Sequence, residues 1–259
     1  MSILKKFINK VINADCMEIL NLFPDNSIDL IITDPPYGVN FDDEFYDDSA
    51  SSVFDNYLEW LDEMSRVLKE HSHIYIFIPT LQIDKWIKEI RNFFNFNNVL
   101  ALQVYQTNKA SSIKNNFAFD LQLVIYASKD KAKEFNSVNW IPTSSSWLRD
   151  KRNPNPQPYT YQYPSFINSR IIRANTKPNE IIKRIHPNEK NPQLIKYWIE
   201  MSSDSNELVL DPFCGSGSTG EAAWISNRRF ILIEKNEEYF KRAEKRMKKL
   251  MLQKKITEF

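Results

Sequence analysis

The sequence predicts an α/β fold, a mostly parallel sheet with helices on both faces. Three observations predict it. Apolar runs such as SIDLIITD (27–34) are continuous rather than alternating, the pattern of strands covered on both faces. These runs alternate with segments whose apolar residues fall at helical spacing. Late in the chain, a glycine-rich turn joins an apolar run directly to a helical one.

In chain order, KVINAD (10–15) reads as a short strand and CMEILNLF (16–23) as a helix. SIDLIITD is the next strand and ends on Asp34. VFDNYLEWLDEMSRVLKE (53–70) carries a helical stripe of Tyr57, Leu58, Leu61, Met64, Val67 and Leu68. HIYIFIP (73–79) is a strand closed by Pro79, and LQIDKWIKEIRNFF (81–94) an amphipathic helix. VLALQVYQ (99–106) and FDLQLVIYASK (119–129) are two further strands. From about 130 to 180 no period holds, and Ser, Asn, Pro and aromatic residues dominate. Regular patterning returns with a helix at 191–203, a strand ELVLD (207–211), a helix STGEAAWISN (218–227) and a strand RFILIE (229–234). A basic helix (237–255) closes the chain, and there is no internal repeat.

The length of 259 residues suits one large domain, or one domain with an insertion. Net charge is only +1, so any nucleic-acid surface must come from local asymmetry. Such asymmetry exists. Residues 140–186 hold eight Lys/Arg against Asp150 and Glu180, whereas 41–70 holds ten acids against Arg66 and Lys69. The acidic run 42–48 reads as a solvated loop. Cys16 and Cys214 fit neither a disulfide framework nor a metal spacing, and His71, His73 and His186 form no ligand set, so no metal is expected. His71 and His73 read as surface and strand-start residues, and Cys214 as a small filler. The N-terminus lacks a signal-peptide core, and no stretch approaches the ~20 apolar residues of a membrane span, which places the chain in the reducing cytoplasm.

Gly215 to Gly220 spell G-x-G-x-x-G between a strand and a helix, and Glu234 ends the following strand 19 residues beyond Gly215. That is the layout of a dinucleotide site, with glycines for close approach and an acid for ribose hydroxyls. A tight turn of purely structural origin is the competing reading. Only 25 residues follow Glu234, so the remaining strands must come from the first 130 residues. The sheet is then circularly permuted, with its first strand in sequence order near the centre. If the strands ending in Asp34, Asp211 and Glu234 are parallel neighbours, their ends share one crevice.

The corner Asp34-Pro35-Pro36-Tyr37 suits the recognition of a planar amino group. Two prolines stiffen the loop and leave its carbonyls without competing N–H donors. The Asp34 carboxylate and the Pro35 carbonyl can both accept from one –NH₂, such as adenine N6 or cytosine N4, and aim its lone pair at an electrophile. Tyr37 offers a face for stacking, and a duplex base must be extruded to reach it. A Pro-stiffened turn with a capping Asp is the bland alternative.

TDPPYG (33–38) and DPFCGSGST (211–219) together resemble the two signature motifs of the S-adenosylmethionine-dependent DNA amino-methyltransferases, in the order of the β group. VINADCMEIL resembles the segment preceding the catalytic strand, and His186-Pro187-Asn188-Glu189-Lys190-Asn191-Pro192 a cofactor motif, with one extra residue and Asn188 in place of Thr. The resemblance implies a Rossmann-like methyltransferase fold with three parts. These are a catalytic half at 1–130, a small irregular target-recognition insertion at 131–185 and a cofactor half at 186–259. It implies Asp34, Pro35, Pro36 and Tyr37 as catalytic residues. It further implies Asp15, Cys16, Asp34, His186, Lys190, Asp211, Phe213, Gly215, Ser216, Gly217, Ser218, Thr219 and Glu234 around S-adenosylmethionine. Asp in the first position of the catalytic motif favours adenine N6 over cytosine N4. Lys151, Arg152, Arg170 and Arg173 of the basic stretch are candidates for DNA phosphates.

The expected reaction is methylation of adenine N6 in DNA, double-stranded or single-stranded, by a monomer or homodimer of a restriction–modification or phage-type system. Methylation of cytosine N4 or of RNA by the same fold is the nearest alternative. A nicotinamide-dependent oxidoreductase explains the glycine motif but leaves the Asp-Pro-Pro-Tyr corner idle. A catalytically silent nucleic-acid binder is the non-enzymatic alternative.

Overall fold

Eight strands form one sheet in the order β1-β8-β7-β2-β3-β5-β4-β6. The computed structural model describes residues 3–37, 50–103, 121–136, 166–168 and 190–257. Along the chain the elements are β1 (Lys10–Asn13), α1 (Cys16–Leu20), β2 (Ile28–Thr33), α2 (Ala50–Val67), β3 (Leu68–Ile78), α3 (Ile83–Phe93) and β4 (Asn95–Gln103). They continue with β5 (Leu121–Ser128), β6 (Phe166–Asn168), α4 (Pro192–Ser202), β7 (Leu208–Asp211), α5 (Ser218–Ile225), β8 (Arg229–Glu234) and α6 (Glu237–Thr257). Among the described residues, five of the seven strand pairings are parallel, and β3–β5 and β4–β5 run antiparallel.

The sheet divides the apolar interior by side-chain alternation. Ile31 of β2 and Ile74, Ile76 and Ile78 of β3 face α1, α2 and α3. Leu30 and Ile32 of β2, with Tyr75 and Phe77 of β3, face α4, α5 and α6. The N-terminal helices therefore cover one face and the C-terminal helices the other, so continuous apolar runs are required in the central strands. All six residues of β2 are buried.

The permutation is real, but its layout differs from expectation in one respect. The first strand in sequence, β1, lies at the edge beside β8, and β2 occupies the centre between β7 and β3. β1 is exposed at both ends and half-buried between, as an edge strand is, whereas the equally short β7 is buried throughout and lies inside the sheet.

Three local readings also change. The helix expected through residue 70 stops at Val67, because Leu68 already pairs with Ile28 of β2. The β2–β3 register then shifts between Ile28 and Leu30, and His71 takes a left-handed φ of 64° inside that irregularity. Leu58, placed on the apolar stripe by spacing, is exposed, whereas Tyr57, Leu61, Met64 and Val67 are buried. His73 is no strand-start surface residue: it is fully buried in β3, edge-on to Tyr126 and Phe135. The acidic run 42–48 lies outside the described residues.

Candidate active site

Four adjacent parallel strands, β1, β8, β7 and β2, end on the same edge of the sheet. Just beyond β1 is Asp15; Glu234 and Asp211 are the last residues of β8 and β7; Asp34 follows β2. The two Asp-Pro stretches meet here. Thr33, buried at the end of β2, donates its hydroxyl to Asp211 Oδ1 at 3.0 Å.

Asp211 is enclosed by donors. Its Oδ1 also accepts the Phe213 N–H at 3.1 Å, and the Thr219 hydroxyl is a further partner. Burial nonetheless pushes its pKa up to about 7, and the nearby Asp34 charge adds to the rise, while the hydrogen bonds oppose it. The carboxylate thereby fixes the start of the glycine turn to the end of β2. Phe213 packs edge-on against Trp60 of α2, with ring centroids 4.7 Å apart.

Glu234 braces the other side of the turn. Its Oε2 accepts the Gly215 N–H at 2.9 Å and its Oε1 the Asn236 N–H at 2.8 Å. Burial raises its pKa. The Lys235 N–H is a third backbone donor to this carboxylate.

The glycines of the turn separate into two kinds. A Cβ built on Gly217 meets the Ala243 Cβ at 3.2 Å, and one on Gly220 collides with Leu232 Cδ1. These two glycines let α6 and β8 pack closely. Gly215 has a left-handed φ of 50°, and a Cβ there would meet nothing within 4 Å. Its position faces open space at the strand ends, which is where a ligand can approach the backbone. An open glycine backbone beside an acid that closes the next strand fits a ligand that passes close to Gly215 and brings hydroxyl groups to Glu234.

Ser216 and Ser218 Oγ lie 3.4 Å apart, and Arg246 of α6 reaches the Ser216 carbonyl at 3.1 Å while pairing with Glu221. Thr219 and Ser218 are buried in the first turn of α5. Cys214 is buried, and desolvation raises its thiol pKa well above the usual value, consistent with a filler. Cys16 is likewise buried and pushed to about 12. Asp15 caps α1, accepting the Met17 N–H at 2.9 Å, and pairs with Lys235 at 3.0 Å.

At the proline corner, Pro35 is buried and Asp34, Pro36 and Tyr37 are half-buried. The Tyr37 hydroxyl donates to Asp34 Oδ1. Lys190 Nζ pairs with Asp34 Oδ2 at 2.8 Å. The structure thus brings together Asp34 to Tyr37, Lys190, Asp211, Phe213, the glycine turn and Glu234, with Asp15 and Cys16 at the edge strand. His186, Lys151, Arg152, Arg170 and Arg173 lie outside the described residues. Thr33, Trp60, Arg246 and Gln122, which contacts Lys190 at 3.2 Å, were not singled out by sequence reasoning. Thr33 and Gln122 each leave one signal, a polar residue inside an apolar strand.

The DNA methylase family model for N6 and N4 methyltransferases matches residues 28–245. The type II methyltransferase M.HpaI of Haemophilus parainfluenzae is 30% identical over 245 residues, covering 92% of this chain and 74% of that protein. The DNA adenine methyltransferase YhdJ of Escherichia coli is 30% identical over 243 residues, covering 92% and 82%. Among solved structures, the M1.HpyAVI complex with S-adenosylmethionine superimposes with a TM-score of 0.63 at 25% identity, covering 92% of this chain and 98% of that one. The cytosine-N4-specific PvuII methyltransferase superimposes at 0.65 with 17% identity, a likeness of fold alone, covering 90% and 84%. The chain therefore belongs to the N6/N4 DNA methylase family, the S-adenosylmethionine-dependent amino-methyltransferases of DNA.

Proposed function

We propose that this protein methylates adenine N6 at a specific sequence in duplex DNA, in the cytoplasm, as the modification enzyme of a restriction–modification type of system. The observation that carries the reading is the tie between Thr33 and Asp211, which sets the Asp34-Pro35-Pro36-Tyr37 corner beside the glycine turn. The preference for adenine rests on Asp34 and on the similarity to a protein named as a DNA adenine methyltransferase.

When bound, S-adenosylmethionine supplies an electrophilic methyl carbon. Gly215 would give it room and Phe213 would flank it, Glu234 and Asp15 would accept from its hydroxyl and amino groups, and Cys16, His186, Ser216, Ser218 and Thr219 would complete the surround. Asp34 and the Pro35 carbonyl accept the two hydrogens of the target amino group and orient its lone pair, a positioning and electrostatic role. Pro36 keeps the corner rigid. Tyr37 stacks on the extruded base, whose extrusion costs a few kcal/mol. Residues 131–185 read the sequence, and Lys151, Arg152, Arg170 and Arg173 contact phosphates. Residues 1–130 and 186–259 are the catalytic and cofactor halves.

Mass analysis of nucleosides from unmethylated DNA treated with the protein tests this directly. N6-methyladenine is expected; N4-methylcytosine as the sole product would replace adenine as the target, and no methylated nucleoside would remove the activity. Asp34→Ala should abolish transfer while S-adenosylmethionine binding persists.

A further inference from the structure

We propose that Lys190 and Gln122 form a mount that holds the Asp34 carboxylate in its reactive orientation, with Lys190 acting as a positioning residue rather than as a ligand of the cofactor. The proposal rests on the reading of Asp34 as the acceptor for the target amino group.

A carboxylate that aims a lone pair must be held within about 0.5 Å of its productive place by residues that are themselves fixed. Asp34 sits on a corner just past the end of β2; the prolines stiffen its backbone, but its carboxylate still turns about the side-chain torsions, so the side chain needs a restraint of its own. Lys190 Nζ supplies it, at 2.8 Å from Oδ2. A lysine is a flexible anchor unless its ammonium is also held. Here it is held from two further directions. It donates to Gln122 Oε1 at 3.2 Å and lies 4.8 Å above the centroid of the buried Phe77 ring. Gln122 is fixed in turn by its amide, which donates to the Ile78 carbonyl at 3.0 Å and to the Leu123 carbonyl at 3.3 Å. Ile78 and Leu123 are paired across β3 and β5. Restraint therefore passes from the antiparallel part of the sheet, through Gln122 and Lys190, to the carboxylate on β2.

The arrangement divides the labour at Asp34. Oδ2 is committed to the mount and Oδ1 to the Tyr37 hydroxyl, and Oδ1 is the oxygen that accepts the target amino group alongside Tyr37. Charge supports the same assignment. The ammonium pairs with Oδ2, so Oδ1 is the carboxylate oxygen that it leaves to other donors.

The test uses the full-length protein on unmethylated plasmid DNA, with single-turnover methyl transfer, calorimetric S-adenosylmethionine affinity and melting temperature measured in parallel. Lys190→Met should slow transfer about thirtyfold or more at saturating cofactor and DNA, with cofactor Kd changed less than about threefold. Lys190→Arg should recover part of the rate, because it keeps a cation within reach of Oδ2. Gln122→Met should slow transfer about three- to tenfold alone and add nothing in the Lys190→Met background, the signature of two residues acting through one path. A cofactor Kd that rises as much as the rate falls would make Lys190 a cofactor ligand and overturn the mount. Independent, additive losses for the two substitutions, or wild-type rates in both, would overturn it equally. If Lys190→Met fails to fold, the rate and cofactor affinity of Gln122→Met decide alone. Normal turnover by Asp34→Ala would instead refute the role of Asp34, a failure distinct from that of the mount.

Discussion

Thr33 and Asp211 are 178 positions apart in sequence, yet the hydroxyl of one donates to the carboxylate of the other at 3.0 Å in a buried site. This single bond joins the end of the strand that carries the proline corner to the end of the strand that carries the glycine turn. Thr33→Val keeps the shape and removes the donor. It should lower unfolding free energy by about 1–2 kcal/mol and weaken cofactor binding severalfold, because Asp211 also holds the Phe213 N–H. Thr33→Ser should retain both. Denaturant unfolding and calorimetry check the pair; an unchanged Thr33→Val midpoint would show that the bond contributes nothing.

Burial raises the Asp211 pKa from 3.8 to about 7. Between those values the folded protein holds a proton that the unfolded chain releases. The stability this group contributes is full below about pH 4 and is lost as pH rises through about 7. His73 acts in the opposite sense. Desolvation lowers its pKa from 6.5 to about 4, so its contribution is lost as pH falls through that window. The wild-type curve mixes the two. The stability of wild type minus that of Asp211→Asn isolates the first, and should fall by more than about 1 kcal/mol between pH 4 and pH 8. A flat difference would place Asp211 ionised throughout.

Two glycines of the turn, Gly215 and Gly220, should separate stability from binding. Gly220→Ala forces a methyl group toward Leu232 and should cost about 1–3 kcal/mol with little change in cofactor affinity. Gly215→Ala meets no atom of the protein, so its steric effect falls on whatever enters that space; its left-handed φ costs about 1 kcal/mol. Cofactor Kd should rise at least about tenfold for Gly215→Ala, and the ratio of binding loss to stability loss should be reversed between the two variants.

What could be read in the sequence was whatever acts over short spans. The glycine turn, the acids that close strands and the proline corner each declare themselves within ten residues, and their spacing after apolar runs places them on one edge of a parallel sheet. The α/β order followed for the same reason. What could not be read depends on pairing across the fold. Nothing local says that Lys190 reaches Asp34, or that Gln122 on β5 anchors it. The end of α2 at Val67 is invisible because Leu68 to Glu70 continue a helical pattern, and only pairing with β2 turns them into strand. His73 looked superficial because its burial comes from Tyr126 and Phe135, supplied by a segment more than fifty positions away.

Asp29 is the one acid inside the apolar run of β2, and it is buried. A charge there requires partners, and both oxygens have one. Oδ1 pairs with Lys69 at 2.5 Å, and Oδ2 accepts the Leu208 N–H at 2.9 Å. Leu208 opens β7, so Asp29 ties β2 to β7 at the end opposite Thr33 and Asp211, and the two ties set the alignment of the strands that bear the site. Removing one side of a buried pair leaves the other uncompensated. Because the Lys69 side chain is 44% exposed, its ammonium can return to water, and the larger loss is the unsatisfied Leu208 N–H. Asp29→Ala should therefore cost about 2–4 kcal/mol, more than Lys69→Met at about 1 kcal/mol or less, measured by denaturant unfolding. Equal losses would mean that the ion pair, not the backbone bond to Leu208, fixes β2 against β7.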